Sequence, residues 1–128
     1  MKGVIIMNPK QRLDRACLAL CRKIIMLRDG HKCRVCNRGA TDTIHIFDRD
    51  IKMLRYDIHN LYAGCRQHHD HDYPYELKAQ HIQVVGWAEW LRLEALSKEY
   101  KCWREIDLKD LKSDLTEILN FYKAKEGL

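Results

Sequence analysis

The chain has 128 residues, of which 46% are hydrophobic, so it can form one compact domain and is too apolar for wholesale disorder. Lysine and arginine number 23 against 18 aspartate and glutamate, a net charge of +5 that permits phosphate contacts without identifying a partner. No apolar run approaches the roughly 20 residues of a membrane span, and the apolar start is too short for a signal peptide. We therefore expect a single cytoplasmic domain over residues 1–128, whose six cysteines are thiols or metal ligands.

An amphipathic helix is predicted over residues 11–29. Apolar side chains recur there at spacings of three and four, namely Leu13, Ala16, Cys17, Leu20, Ile24 and Leu27. Asp29 and Gly30 should end this helix, because glycine tolerates the left-handed cap conformation. Cys17 and Cys21 lie one turn apart on the apolar stripe, a position typical of small core residues.

The second half of the chain, residues 76–125, predicts a helical tail. One stripe carries Leu77, His81, Val84 and Val85, then Gly86 permits a bend, and apolar residues continue to Leu96. A further helix is predicted from near Asp107, a plausible N-cap, through an apolar stripe that ends at Tyr122. At this helical spacing we expect Trp87, Trp90 and Trp103 in the core, with base stacking as the alternative.

Two short motifs between these helical regions carry the strongest signal. Cys33 and Cys36 are two residues apart and are followed by Asn37-Arg38-Gly39, a composition typical of a tight turn that presents two thiolates. Cys65 and His68 repeat this internal spacing, and 28 residues separate the two halves. Thiolate and imidazole together form the soft tetrahedral shell that structural zinc prefers. The sequence therefore predicts a structural Zn²⁺ bound by Cys33, Cys36, Cys65 and His68.

The fourth zinc ligand has alternatives. The run from His68 to Asp72 offers three imidazoles, so His69 or His71 could replace His68. The equal spacing of the two halves favours His68. Four buried residues without a metal are disfavoured, because this run is too polar for a core.

Three further residues are placed around the second motif. His45 and Asn60 lie between the two motifs, and His69 directly follows the second one. This arrangement around a cysteine knuckle resembles the HNH (His-Me finger) nucleases. The resemblance implies that His45 activates water against a phosphodiester and that Asn60 orients His45. It also implies that His69 helps to hold a catalytic divalent cation, Mg²⁺ or Mn²⁺, on the scissile phosphate. A neutral imidazole can take a proton near pH 7, and a metal ion neutralises charge that develops on the phosphate.

Four segments match more narrowly. Residues 26–30, 45–49, 54–60 and 65–69 resemble the NinG (Rap) family of phage recombination proteins, and the similarity extends from about Leu13 to Lys125. It implies an α+β fold in which a zinc-stabilised ββα (treble-clef or HNH-like) module at 30–75 is flanked by an N-terminal helix and two or three C-terminal helices. It further implies an endonuclease that cuts branched or single-strand-containing DNA recombination intermediates in the bacterial host cytoplasm, as a monomer or a homodimer.

Four basic side chains are candidates for DNA contact. Arg49, Lys52 and Arg55 lie on the arm between His45 and Asn60, and Arg66 lies in the second zinc motif. They predict a backbone-facing patch, with ordinary solvated surface charge as the alternative.

The chain also departs from the families that it resembles. Many HNH nucleases have a metal-binding Asp or His directly before the catalytic histidine, where this chain has Ile44, and NinG-like chains tend to end the second knuckle with Cys-Asn rather than His68-His69. Further ligands of the catalytic metal could come from Asp48, Asp50 or Asp57. Two other functions therefore stay open: a non-catalytic zinc module that binds nucleic acid or protein, and an HNH nuclease with a sequence-specific or packaging role.

Overall fold

The computed structural model describes residues 6–126 except 70–73, and it leaves out the side chains of residues 69 and 74–77. In this part of the chain the fold is α+β, with five α-helices and one two-stranded sheet. The helices are α1 (Pro9–Arg28), α2 (Arg66–His69), α3 (Pro74–Val85), α4 (Trp87–Leu96) and α5 (Glu105–Lys125), and the strands are β1 (Asp42–His45) and β2 (Leu61–Gly64). None of the described helices is both long enough and apolar enough to cross a membrane.

Helix α1 begins two residues before its predicted start because its N-terminus is capped. The Asn8 side chain accepts a hydrogen bond from the main-chain N–H of Gln11, and the Gln11 side chain accepts one from Asn8. This reciprocal pair satisfies amide groups that have no partner within the helix, and Pro9 supplies a helical φ at the first position. The predicted end is confirmed: the helix stops at Arg28, and Gly30 has a φ of +64°.

The main core lies between α1 and α5, which run in the same direction. Near one end Cys17 Sγ lies 3.6 Å from the Leu108 carbonyl, and towards the other Leu27 shares a cavity wall with Leu119. Cys17 and Cys21 are buried as predicted. Burial raises the pKa of the Cys17 thiol to about 11 and that of Cys21 to about 12, so both stay protonated at neutral pH.

Two details of the helical tail differ from the predictions. Helix α5 starts at Glu105, and Asp107 is its third residue, where its carboxylate accepts from the Arg104 main chain. Trp90 is buried as expected, but Trp87 is 64% exposed. The helical spacing is the same for both tryptophans, but Trp90 stacks on the ring of Phe47, whereas Trp87 lies on a face of α4 that is largely exposed.

The sheet is antiparallel and places His45 opposite Leu61 and Ile44 opposite Tyr62. Strand β1 ends at His45, two residues earlier than the β-like stretch of the sequence, and the chain then forms a loop from residue 46 to residue 60. Two 3₁₀ turns, Lys52–Leu54 and Ile58–Asn60, shape that loop. A Cβ at Gly64 would lie 2.2 Å from Ile44 Cδ1, so a side chain there would require Ile44 to move.

Candidate metal centre and active site

The first half of the metal centre is a tight turn. The main-chain N–H of Cys33 donates to the Arg38 carbonyl at 2.7 Å, and that of Asn37 donates to the Cys33 carbonyl at 2.8 Å. Asn37 has a φ of +62°, a conformation that asparagine tolerates better than most residues. The Arg38 main-chain N–H bonds to the Cys36 sulfur and lowers the pKa of this thiol to about 6. Cys36 is therefore available as a thiolate at neutral pH.

The second half closes the centre. The Sγ atoms of Cys36 and Cys65 are 3.8 Å apart, and His68 Nδ1 lies 3.5 Å from Cys33 Sγ and 3.1 Å from Cys65 Sγ. All four ligand atoms lie within 4.8 Å of one another. Tetrahedral zinc bonds of about 2.3 Å to sulfur and about 2.0 Å to nitrogen would separate sulfur atoms by about 3.8 Å and sulfur from nitrogen by about 3.5 Å. The four predicted residues thus form a Cys₃His cluster that can hold a structural metal ion.

Among the described side chains, His68 is the imidazole that completes this cluster. It does so through Nδ1, so Nε2 points away from the proposed ion. The side chain of His69 and the whole of His71 lie outside the described residues.

A buried polar chain connects the first knuckle to the helical tail. Arg34 Nη1 donates to His81 Nδ1 at 2.5 Å, and His81 Nε2 donates to the His59 carbonyl at 2.5 Å. Burial, with the positive charge of Arg34, lowers the pKa of His81 to about 4, so the ring is neutral and can accept from Arg34. These bonds hold α3 against the metal centre.

His45 lies at the end of β1 and is partly buried. Its Nε2 lies 3.0 Å from the Arg55 carbonyl, an acceptor, so in the neutral ring Nε2 carries the proton and Nδ1 carries the lone pair. Burial lowers the pKa of His45, and the charges of Arg49 and Arg55 lower it further. The imidazole is thus neutral near pH 7, the state that a general base requires.

Asn60 is fully buried and bonds to the loop that follows His45. Its Nδ2 donates to the carbonyls of Phe47 (3.0 Å) and Leu54 (3.2 Å), and its Oδ1 accepts from the Phe47 N–H at 2.7 Å. These bonds reach the main chain of the loop and not the imidazole of His45. Leu54 precedes Arg55, whose carbonyl accepts from His45, so Asn60 bonds to the same loop that holds the hydrogen-bond partner of His45.

A cleft of about 260 Å³ opens beside His45, between α1 and β1. Its polar lining comes from Arg22, Thr41, Asp42, Thr43, His45, Arg49 and Arg66. Arg22 donates to the Thr41 carbonyl at 3.0 Å, and Arg66 pairs with Asp42 at 3.4 Å. The sequence reasoning missed Arg22 and Asp42: no local motif marks either residue, and the packing of α1 against the sheet places Arg22 in the cleft.

The four basic side chains predicted to contact DNA are used differently. Arg49 and Arg66 line the cleft, and Lys52 is exposed at a neighbouring cavity. The prediction for Arg55 is wrong, because its residue is only 9% exposed and its guanidinium bonds both Asp14 oxygens at 2.9 and 3.0 Å. Burial alone would raise the pKa of Asp14, but the bonds from Arg55 and Tyr56 lower it. Arg55 is thus part of the folded core.

The expected catalytic metal finds few ligands among the described side chains. Asp42 is the single described carboxylate that lines the cleft, and it is bonded to Thr41 and Arg66. Asp48 is exposed and accepts from the Asp50 N–H in a turn. The described side chains of the cleft thus offer Asp42 as a carboxylate ligand, and the side chain of His69, the predicted ligand, lies outside the described residues.

Asp57 belongs to a separate ionic network. Together with His59 and Glu89 it is close enough to share a metal ion. However, Arg92 pairs with Asp57 at 2.9 Å and also with Glu89, and His59 Nδ1 lies 2.9 Å from Glu89. A guanidinium already neutralises these carboxylates, which makes the network an ion-pair contact between α4 and the 46–60 loop.

In comparisons with known proteins, no family model, curated protein or solved structure matches this chain. The family resemblance therefore remains a prediction from the motifs quoted above.

Proposed function

We propose that this protein is an HNH-type endonuclease that hydrolyses phosphodiester bonds in DNA, with Mg²⁺ or Mn²⁺ as its cofactor and with His45 as the general base. The observation that carries the proposal is the state of His45. Its ring is neutral, its Nε2 proton is held by the Arg55 carbonyl, and it lines a cleft that contains three arginines. An anchored neutral imidazole in an arginine-rich cleft suits proton abstraction next to a phosphate.

In this proposal His45 Nδ1 accepts a proton from water as the water oxygen bonds to phosphorus, the P–O bond to the leaving nucleotide oxygen breaks, and that oxygen takes a proton from solvent. The Arg55 carbonyl stabilises the imidazolium that forms, because it accepts from the opposite nitrogen. Arg22, Arg49 and Arg66 surround the cleft with positive charge that can bind the phosphate and offset charge developing on it. A divalent cation, when bound, would neutralise the same charge, and His69 is its proposed protein ligand.

The order of elements supports the HNH assignment. Strand β1, the 46–60 loop, strand β2 and helix α2 follow one another, and the two halves of the metal cluster lie before β1 and after β2. We interpret this unit as the ββα module that the resemblance implies. The metal would hold the ends of the module together, and the loop closed by Asn60 would position the base.

The proposed substrates are branched or single-strand-containing recombination intermediates. Support comes from the type of side chain in the cleft: guanidinium groups contact phosphates and carry no direct sequence information there. A site of this kind can distinguish DNA by shape and flexibility.

Nicking of supercoiled plasmid and cleavage of labelled forks, four-way junctions and matched linear duplex test the proposal. Reactions with magnesium, with manganese and without added divalent ion should show cleavage that requires the ion and prefers branched DNA. His45→Ala should remove the activity, whereas His31→Asn, at an exposed histidine with a φ of +59°, should keep it. Cleavage confined to one short sequence would instead favour the specific or packaging nuclease.

A non-catalytic zinc module that binds nucleic acid is the second candidate. The observation that favours it is the shortage of free carboxylates around His45 in the described residues. This function predicts salt-dependent DNA binding by the wild-type chain and no cleavage with either metal ion, with His45→Ala binding as tightly as wild type.

A further inference from the structure

A second cavity, of about 380 Å³, lies where α1 and α5 begin. Because these helices run in the same direction, their N-terminal ends meet at this cavity. The wall between them comes from the segment that precedes α5, with Tyr100, Lys101 and Trp103. Lys52 from the first 3₁₀ turn completes the opposite side.

The cavity is positively charged. Lys10, Lys52 and Lys101 line it, and Asp14, the acidic residue in its lining, is neutralised by the two bonds from Arg55. Asp107, in the first turn of α5, is held by Arg104 at 3.0 Å and does not line the cavity. The surface thus suits an anionic ligand.

Two aromatic side chains in the cavity have different environments. Trp103 is held by two contacts. Its Nε1 donates to the Lys52 carbonyl at 2.7 Å, and its ring packs edge-to-face with the ring of Tyr56, with the centroids 5.1 Å apart. Lys101 Nζ lies 4.7 Å from the Trp103 ring centroid. Tyr100, by contrast, is 88% exposed at the same cavity, so its ring is open to a planar ligand.

This cavity adjoins the cleft that contains His45. Asp14 lines the cavity and Leu18 lines the cleft, and four residues of helix rise by about 6 Å. Arg55, in the cavity wall, donates to the carbonyl of Arg49, in the cleft wall, at 3.4 Å. A DNA strand that leaves the cleft along α1 towards its N-terminus would therefore pass this cavity.

We propose that the cavity binds a single-stranded DNA segment flanking the phosphate at His45, with a base stacked on Tyr100 and phosphates on Lys10, Lys52 and Lys101. This inference rests on the proposed nuclease function for the order of the two sites. A ring with an open face next to lysines is how proteins bind single strands without reading their sequence. Inside a duplex the bases are paired and stacked on each other, so they are not available to stack on Tyr100.

Binding measurements without added magnesium or manganese test this inference. The full-length protein is titrated into labelled oligothymidylate of about 12 nucleotides and into a blunt duplex of the same length, with fluorescence anisotropy as the readout. Tyr100→Ala should weaken single-strand binding by about five- to a hundredfold, the usual effect of losing one stacked base. Tyr100→Phe should restore it, and duplex binding should change less than twofold.

Matched variants control for general effects. Phe121 is 63% exposed on α5 outside the cavity, so Phe121→Ala should bind the oligonucleotide like wild type. Lys52→Ala and Lys101→Ala should each flatten the plot of log affinity against log salt by about 0.7, and Lys125→Ala, at the far end of α5, should have less effect.

Wild-type affinity in Tyr100→Ala, equal losses for duplex and single strand, or no oligonucleotide binding by the wild-type chain would each overturn this inference. Failure of the nuclease proposal has a different signature. A chain that cleaves nothing but loses single-strand binding in Tyr100→Ala would refute catalysis and leave this binding site in place.

Discussion

The metal cluster and the His45 cleft lie in one small module but are assembled in different ways. Three cysteines and a histidine form the cluster from two short motifs, and each motif positions its own pair of ligands within a turn. The cleft combines Arg22 of α1, Asp42 and His45 of β1, and Arg49 of the loop. The cluster therefore depends mainly on local chain geometry, and the cleft depends on the packing of α1 against the sheet.

The two regions also differ in how their side chains are bonded. In the cluster, side chains that point at one another converge on a shared centre, which stabilises the fold. In the cleft, the Arg55 carbonyl accepts from Nε2 of His45, and among the described residues Nδ1 has no hydrogen-bond partner, as the proposed role of general base requires. Variants should separate them: changes in the cluster should reduce folding, and changes in the cleft should reduce activity.

The largest effect is expected at the cluster. Cys33→Ser or Cys65→Ser should remove the metal and with it most of the folded protein, because binding of structural zinc is largely folding free energy. Elemental analysis should find one zinc per wild-type chain and none in these variants, and circular dichroism should show loss of helix. Cys102→Ser, at an exposed cysteine outside the cluster, is the control. Unchanged stability of the wild type after thorough chelation would contradict this expectation.

His45→Ala should reduce the cleavage rate by about a hundredfold to ten-thousandfold, the range for loss of a general base. Zinc content and melting temperature should stay close to wild type, because His45 lies outside the cluster. The rate of the wild type should rise with pH to a plateau, with a midpoint below 6.5, since the lowered pKa keeps His45 neutral above that point. Release of zinc by this variant would make His45 a structural ligand instead.

Arg55 and Arg49 provide a matched pair at the border of the cleft. Arg55→Ala leaves Asp14 without its two bonds in a partly buried site, so we expect a loss of about 1–3 kcal/mol in the free energy of unfolding. Arg49→Ala should keep stability, weaken binding to all DNA sequences alike and flatten the salt dependence by about one unit. Urea denaturation and binding titrations measure both effects. Equal stability of the two variants would show that the bond to Asp14 adds little.

The pH dependence of stability should reveal His81. Its pKa is about 4 in the folded chain and near 6.5 when unfolded, so the unfolded state binds more protons below pH 6.5 and stability falls as pH drops towards 4. The free energy of unfolding should fall by about 3 kcal/mol in total once the pH is below 4, and His81 should cause no loss above pH 6.5. His81→Gln can keep both hydrogen bonds without titrating, so the wild type should lose more stability than this variant between pH 7 and pH 4. If the stability of the wild type and of His81→Gln fell equally between pH 7 and pH 4, the acid sensitivity would come from the zinc ligands and not from His81.

Particular residues show where sequence reasoning succeeds. The matched spacing of the two motifs predicted all four cluster residues, because two ligands on one turn can converge only at such a spacing. The apolar stripe predicted α1 and the buried Cys17 and Cys21 for a similar reason. Trp87 was placed wrongly because helical periodicity identifies a face but not whether another element covers it.

Arg55 shows the limit of reading charge from sequence. On the loop it looks equivalent to Arg49, yet one guanidinium bonds Asp14 and the other lines the cleft. Asp14 lies 41 residues earlier, and no spacing rule connects the two positions.

The sequence alone determined the four residues of the metal cluster and the helical segments, since each half of the cluster and each apolar stripe is formed by residues close together along the chain. Only the tertiary structure decided which charges line the cleft, that Asn60 bonds to the 46–60 loop, and that the starts of α1 and α5 meet beside Tyr100. These features join segments far apart in sequence. Their positions follow from how helices and strands pack, which no single stretch of sequence encodes.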